Sequence, residues 1–352
     1  MAEGGNTQAG GWTMPPAGTG PGLLLLGADP AFARRLAEDG YAVLADGEVD
    51  ALAAKSDADA KIGVVTFGSS AEQGLALAAA ARADVLVCYD PPADAIVARA
   101  RDIKIPAVFH FTAAADAQKV RSAFGKRLNA RAFHYPEVGA GFALEGGPSH
   151  DRIAANVSYS RSLSVLRKVL GPDYDLSALF DEHLRHEFVT HDPDATMATM
   201  VPEPYVNHVP TLTGGVGHDM LKRFYKYHFI PKIPKDRKNT LISETVGSDT
   251  IIREMVNEFT FDEPFDHYLP GIKPNGKKVR VPVVVVAKFR GDKLYYEHIY
   301  WDQATILKQL GLIDTTGLPV SGAEQAAKVR DPSQPANELM AEQWKQSDGK
   351  PL

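Results

Sequence analysis

Leu294-Tyr295-Tyr296-Glu297-His298-Ile299-Tyr300 runs through Trp301-Asp302 into Gln303-Ala-Thr-Ile-Leu-Lys-Gln-Leu310, and Gly311 follows. The first segment is dense in aromatic and β-branched residues, the composition of a strand. The second has apolar residues at helical spacing and a glycine stop. Asp302 therefore stands at a strand-to-helix junction, on a rigid element beside aromatic walls, at the mouth of what reads as a curved-sheet pocket. Burial among apolar groups raises a carboxyl's pKa and makes it a usable general acid or base. Asp302 also reads as the N-cap of helix 303–310, because its oxygen can satisfy free N–H groups of the first turn. The two roles are compatible. Residues two apart on a strand share a face, so His298 points where Tyr296 and Tyr300 point. If Tyr300 and Trp301 line a pocket, so does His298; its other reading is a hydrogen-bonded core residue.

Upstream, residues 239–247, 250–261, 278–289 and 293–300 read as long strands, with turns at Gly247-Ser248 and Arg290-Gly291-Asp292. Before them come helical stretches at 176–187, 194–200 and 217–229, and an extended one at 205–209. Helices first, then a bent antiparallel sheet, then one short helix predict an α+β cone. Gly171-Pro172 is a natural break. Ahead of it, residues 22–170 alternate short apolar strands with helices, the pattern of a parallel α/β sheet. Its closing helix, 151–170, is predicted to present Ile153, Val157, Leu163, Leu166 and Leu170 as its apolar face. The organisation expected is a disordered tail over 1–20, an α/β domain over 21–171, an α+β cone over 172–313 and a C-terminal extension over 314–352. That extension wraps the domain or a partner, or is disordered at its end.

The 352 residues suit two domains. A formal net charge of -6 argues against a non-specific nucleic-acid binder. No apolar run approaches a membrane span, and residues 1–20 lack the regions of a signal peptide, so a cytoplasmic protein is expected. The single cysteine, Cys88, excludes internal disulfides and cysteine-based metal sites, and its strand context reads as core.

His298-Ile-Tyr-Trp-Asp302 with Gln309-Leu-Gly311 resembles the closing strand and helix of the SnoaL-like polyketide-cyclase family, within the nuclear-transport-factor-2-like cone fold. His191-Asp-Pro-Asp-Ala-Thr-Met-Ala-Thr-Met200 and Tyr205-Val-Asn-His-Val-Pro-Thr-Leu-Thr-Gly-Gly215 carry the same resemblance, which spans about 177–312. It implies a cone pocket for an apolar ring system and acid–base chemistry without a cofactor. Asp302 matches the catalytic aspartate, with His298, His208 or Tyr205 orienting the substrate. On that footing Asp302→Asn abolishes turnover and spares the fold. The resemblance also implies a homodimer through the open sheet face.

Other residues join the candidate list on their own pattern. His208, with Asn207 and Tyr205 beside it, forms a polar cluster in an apolar stretch; it reads as site or as a turn whose side chains hold backbone groups. Strand 250–260 has two faces, and Arg253 or Glu254, whichever turns inward, becomes a substrate anchor or second base; the alternative is an exposed salt-bridged strand. The loop 261–270 carries Asp266 and His267 and could roof the pocket. His191/Asp192, His218/Asp219 and Asp266/His267 lack the His-x-x-x-His spacing that would fix a metal, so neither metal nor cofactor is expected. Eight of the 11 histidines lie between His183 and His298, which directs the search to the second domain.

The first domain resembles a shortened dienelactone hydrolase, an α/β-hydrolase, over about 20–171. Ala37-Glu-Asp-Gly-Tyr-Ala-Val-Leu-Ala45, Lys61-Ile-Gly-Val-Val-Thr-Phe67, Ile105-Pro-Ala-Val-Phe-His-Phe111 and Tyr135-Pro-Glu-Val-Gly-Ala-Gly-Phe142 carry it. The family's nucleophilic cysteine falls on Gly68 and its histidine on Ala140, and its acid falls in an alanine run near Asp116. Nucleophile and base are both missing, so this domain is expected to be a scaffold. Three functions stand in order: an acid–base enzyme acting on an apolar carbonyl or polyketide-like molecule, a non-catalytic binding or assembly protein, and a hydrolase rewired through Ser69 or Ser70.

Overall fold

In a computed structural model, the chain divides into two compact units, Met1–Tyr174 and Asp175–Leu352. Residues 7–8, 11–55 and 60–351 are described. Each unit holds one sheet with helices, so the protein is mixed α/β with two sheets. Among the described residues no helix is long and apolar enough to cross a membrane.

The first unit runs β1 (Thr7–Gln8), β2 (Trp12–Thr13), β3 (Gly22–Leu26), α1 (Pro30–Glu38), β4 (Ala42–Ala45), α2 (Val49–Lys55), β5 (Ile62–Phe67), α3 (Ala71–Ala79), β6 (Val85–Tyr89), α4 (Ala93–Arg99), β7 (Ala107–Phe111), α5 (Ala114–Phe124), β8 (Ala130–His134) and α6 (Arg152–Leu170). Strand order is β1-β2-β4-β3-β5-β6-β7-β8, parallel from β4 to β8. β3, β6 and β7 are buried along their whole length because both sheet faces are covered. Leu24, Val64, Leu86 and Phe109 pack with α2 to α5, while Leu23, Val65, Val87 and Val108 pack with α1 and α6. Each such side chain taken from water contributes about 1.5–3 kcal/mol.

Two expectations need correction here. The predicted tail is ordered where it is described: Trp12 is buried and pairs with Leu44 across β2 and β4. Its other residues, 1–6 and 9–10, lie outside the described set. Two-residue strands carry no periodicity, so composition alone hid this one. On α6, Ile153 and Val157 are exposed, and the buried face is Ala155, Tyr159, Ser162, Leu163 and Leu166. Serines sit inward because Ser162 bonds Tyr89 and His110, which conceals the stripe from a hydropathy count. The alanine run near Asp116 is helix α5.

The second unit runs α7 (Leu176–Phe188), α8 (Pro193–Ala198), β9 (Met200–His208), β10 (Thr213–Val216), α9 (His218–Phe224), β11 (Lys238–Val246), β12 (Thr250–Thr260), β13 (Lys278–Arg290), β14 (Lys293–Trp301), α10 (Gln303–Leu310), α11 (Glu324–Arg330) and α12 (Ala341–Lys345). A π-helical turn, Tyr225–Phe229, continues α9. The sheet order is β10-β9-β14-β13-β12-β11, antiparallel except where β14 meets β9. Period-2 alternation decides the faces. Arg253, Met255 and Asn257 turn inward on β12, and Glu297 and Ile299 turn inward on β14. Beyond residue 313 the chain packs on the same unit through α11, where Ala326 is buried and Arg330 bonds Glu258 and Thr240.

Candidate active site

The second unit encloses a cavity of about 210 Å³ between α7, the π-helical turn and the inner face of the sheet. Phe180, Val206, Val283, Val285 and Ile299 make its apolar wall, and a few polar groups converge on it, the usual composition of a small-molecule site.

One end is built by α7 and β14. Asp175 caps α7, accepting from the Ala178 amide at 3.0 Å. Helical spacing then sets His183 and Glu187 one turn apart, with Nε2 to Oε1 at 3.2 Å. Glu297 comes from β14, 3.7 Å from the same nitrogen. The Tyr225 hydroxyl stands 3.5 Å from both His183 Nε2 and Glu297 Oε2. Thr199 fixes the ring: its hydroxyl donates to the Thr196 carbonyl at 2.7 Å, so it accepts from His183 Nδ1–H at 2.6 Å. Nε2 therefore faces two carboxyls and needs a proton to bond them.

Burial opposes a charge on His183, but Glu187 and Glu297 outweigh it and raise the imidazole to about 10. Burial pushes Glu187 up, against the pull of His183. The end of the cavity thus retains protons that these groups would lose in water. The three ligand-type atoms lie within 4.8 Å of one another, and this is the one such group among the described residues. An imidazole and two carboxylates also suit a divalent cation; a proton on Nε2 meets the same electrostatic need.

The other end is neutral imidazole. His208 Nδ1–H donates to the Thr213 carbonyl at 3.2 Å, and burial drives the ring down to about 4. His267, 1% exposed, is held well below its usual value by burial, with His208 and Arg237 adding to the shift. Their ring centroids are 4.9 Å apart. We expect histidine ¹⁵N NMR titration to show His208 neutral down to about pH 4 and His183 charged up to about pH 10. Two rings titrating together near 6.5 would contradict this picture.

His208, His267 and Arg253 line the cavity, but the remaining sequence candidates do not. The Arg253 guanidinium is already held by Glu244 at 2.6 Å and Asp181 at 2.7 Å, so it closes the wall. Glu254 turns to the opposite face and accepts from Ser243 at 3.0 Å. Tyr205, Asn207, His298 and Tyr300 share that outer face of β9 and β14; His298 stacks on Tyr296 at 4.7 Å, and Tyr296 on Tyr205 at 4.8 Å. Trp301 is buried behind the cavity wall, stacked on Tyr268 at 4.2 Å. Asp302 lies outside. It accepts from the Thr305 amide at 3.2 Å, the Thr305 hydroxyl at 2.8 Å and Gln325 at 2.7 Å. Burial would raise its carboxyl, but the bonds from Gln325 and Thr305 outweigh that and hold it below the usual range. This is the cap of α10, and the raised acid predicted for it is not there. Asp302→Ala should cost about 0.5–2 kcal/mol in urea unfolding and leave catalysis unchanged. A dead but fully folded variant would return Asp302 to the site.

The sequence reading also overlooked Glu187, Glu297, His183 and Arg237. His183-x-x-x-Glu187 on a helix was a usable signal, since i and i+4 share a face. The three His/Asp pairs considered for metal are elsewhere engaged: Asp192 caps α8, while His218–Asp219 and His228–Asp266 are exposed pairs.

In the first unit, Gly68 ends β5 at φ +55°, a strand-to-helix turn with open space where a side chain would project. Ser69 and Ser70 have no histidine partner among the described residues. His110 is fully buried, bonded to Tyr135 at 2.9 Å and Ser162 at 2.8 Å; burial, helped by Arg161, lowers it to about 3. Among the described residues no nucleophile–base pair forms there.

No known family matches this chain, and no curated protein does. Among solved structures it is similar to one assigned as a SnoaL-like polyketide cyclase from Jannaschia Sp. CCS1, at 17% identity and TM-score 0.32 over 41% of this chain and 100% of that one. TsrD from Streptomyces laurentii gives 17%, 0.33, 41% and 100% on the same measures. One assigned as a dienelactone hydrolase from Klebsiella pneumoniae subsp. pneumoniae MGH 78578 gives 15%, 0.35, 45% and 91%. Likeness at this level carries no functional argument, which rests on the residues.

Proposed function

We propose that the second unit is an acid–base enzyme that moves a proton beside the carbonyl of a small apolar molecule. The observation that carries this reading is the pair of buried carboxyl side chains, Glu187 and Glu297, on one cavity wall with His183 behind both. Glu297, on a rigid strand, takes the proton from the carbon. Glu187, whose proton affinity burial raises, gives a hydrogen bond or proton to the carbonyl oxygen. His183 carries a positive charge that both carboxyl groups face inside an apolar cavity. The chemistry needs no cofactor, and isomerisation, aldol-type cyclisation and elimination all begin from such a step; in a hydrolysis the same base would take its proton from the attacking water. The first unit, lacking nucleophile and base, acts as a scaffold.

The test does not require the natural substrate. A panel of apolar ketones and esters is incubated with the protein in D2O, and exchange next to the carbonyl is followed by NMR. Exchange that depends on Glu297 supports the reading. Ligands that bind in the cavity but never exchange would make the unit a binding protein instead.

A further inference from the structure

We infer that the molecule this cavity takes is an apolar acid, whose ring or chain fills the apolar wall and whose carboxylate lies against Arg237. The fold treats its two cavity arginines differently. Arg253 has Glu244 and Asp181 on its guanidinium. Arg237 has no ion pair among the described residues, and its Nε and Nη1 are buried without a hydrogen-bond partner. Its other contacts are neutral: Nη2 is 3.5 Å from Asn257 Oδ1, the Tyr268 hydroxyl is close by, and the Phe188 ring lies 4.5 Å beneath the guanidinium carbon. Glu187, the nearest acidic influence on it, is held by His183.

A guanidinium does not shed its proton, so this charge cannot be relieved by titration. A buried donor with no acceptor, and a buried charge with no counter-charge, are each unfavourable enough that folded proteins rarely leave them. Here both fall on one side chain in a cavity with room for a ligand. His267 Nδ1, in the same lining, is a second buried polar atom without a partner. With its guanidinium carbon over the Phe188 ring, Arg237 keeps Nε and Nη1 unbonded, a pair of donors for a planar carboxylate. The apolar remainder of the wall asks for a hydrocarbon body.

This inference shares with the proposed function only the premise that the cavity takes a small molecule, so it is tested by binding, without turnover. Calorimetric titration of the full chain would use 2-naphthoate, with 2-naphthamide and 2-naphthalenemethanol as neutral partners of the same shape. The acid is expected to bind about tenfold or more tightly than either. Arg237→Met should remove that preference and leave the neutral ligands' affinity unchanged, and Arg237→Lys should keep part of it. Circular dichroism and the urea midpoint report whether each variant folds; should Arg237→Met fail to fold, Arg237→Lys and the ligand series carry the test. Glu297→Gln should keep the preference for the acid, so a failed catalytic reading and a failed acid reading give different results. Equal affinity for acid and amide, a preference that survives Arg237→Met, or no binding of the acid at concentrations on the order of 1 mM would each overturn the inference.

Discussion

Glu297→Gln should lower deuterium exchange on a responsive carbonyl compound by about 10²–10⁴-fold, the range lost when a positioned base is removed. The amide fills the same volume and cannot take a proton. Its carbonyl oxygen can still accept from His183 Nε2–H and the Tyr225 hydroxyl, which keeps the inner face of β14 in place. Glu187→Gln should lose less, because an amide still offers a hydrogen bond to a carbonyl oxygen. That ordering separates the roles: equal losses would mean that either carboxylate serves as base. Exchange that a chelator abolishes, and that a divalent cation restores, would turn His183, Glu187 and Glu297 into metal ligands and remove the proton from Nε2.

His183→Leu should be the most damaging single change to stability, at about 3–5 kcal/mol, because it leaves two buried carboxyls facing each other without a counter-charge. Urea unfolding read through the second unit measures it. Replacing Glu187 by Leu and Glu297 by Met in the same chain should recover most of the loss, since an apolar core of similar volume can replace a buried ionic group. A triple variant as unstable as the single one would show that the histidine acts through packing. The pH dependence has a definite sign. The folded pKa of His183, about 10, lies above its ordinary 6.5. The stabilising charge is therefore fully present below pH 6.5 and lost as pH rises through about 10. Unchanged protein and His183→Leu should converge in stability across that window.

Local chemistry explains which parts of this architecture were legible beforehand. Strand periods and glycine turns located β11 to β14 within a residue or two, and the helix after Asp302 fell at residues 303–310. The faces were harder. On β14 the aromatic set Tyr296, His298 and Tyr300 looked like a pocket wall, while the inward set includes a glutamate. A carboxylate reads as surface until its partner is known, and the partners of Glu297 come from α7 and from the π-helical turn, far away in the chain. Arg253 against Glu254 was left open in the sequence for the same reason, and register decided it. Asp302 stood out because it is conspicuous locally, and its local role as a cap accounts for it.

The π-helical turn over Tyr225–Phe229 spans the two ends of the cavity. Both of its ends line the site, with Tyr225 touching the charged group and Phe229 touching the neutral imidazoles. A π turn holds one residue more than an α turn. The turn carries that residue as a bulge, so its loss would return the turn to α geometry and leave Tyr225 and Phe229 facing much the same way. A one-residue change in chain length at this turn is therefore one that the helix absorbs without dismantling the site.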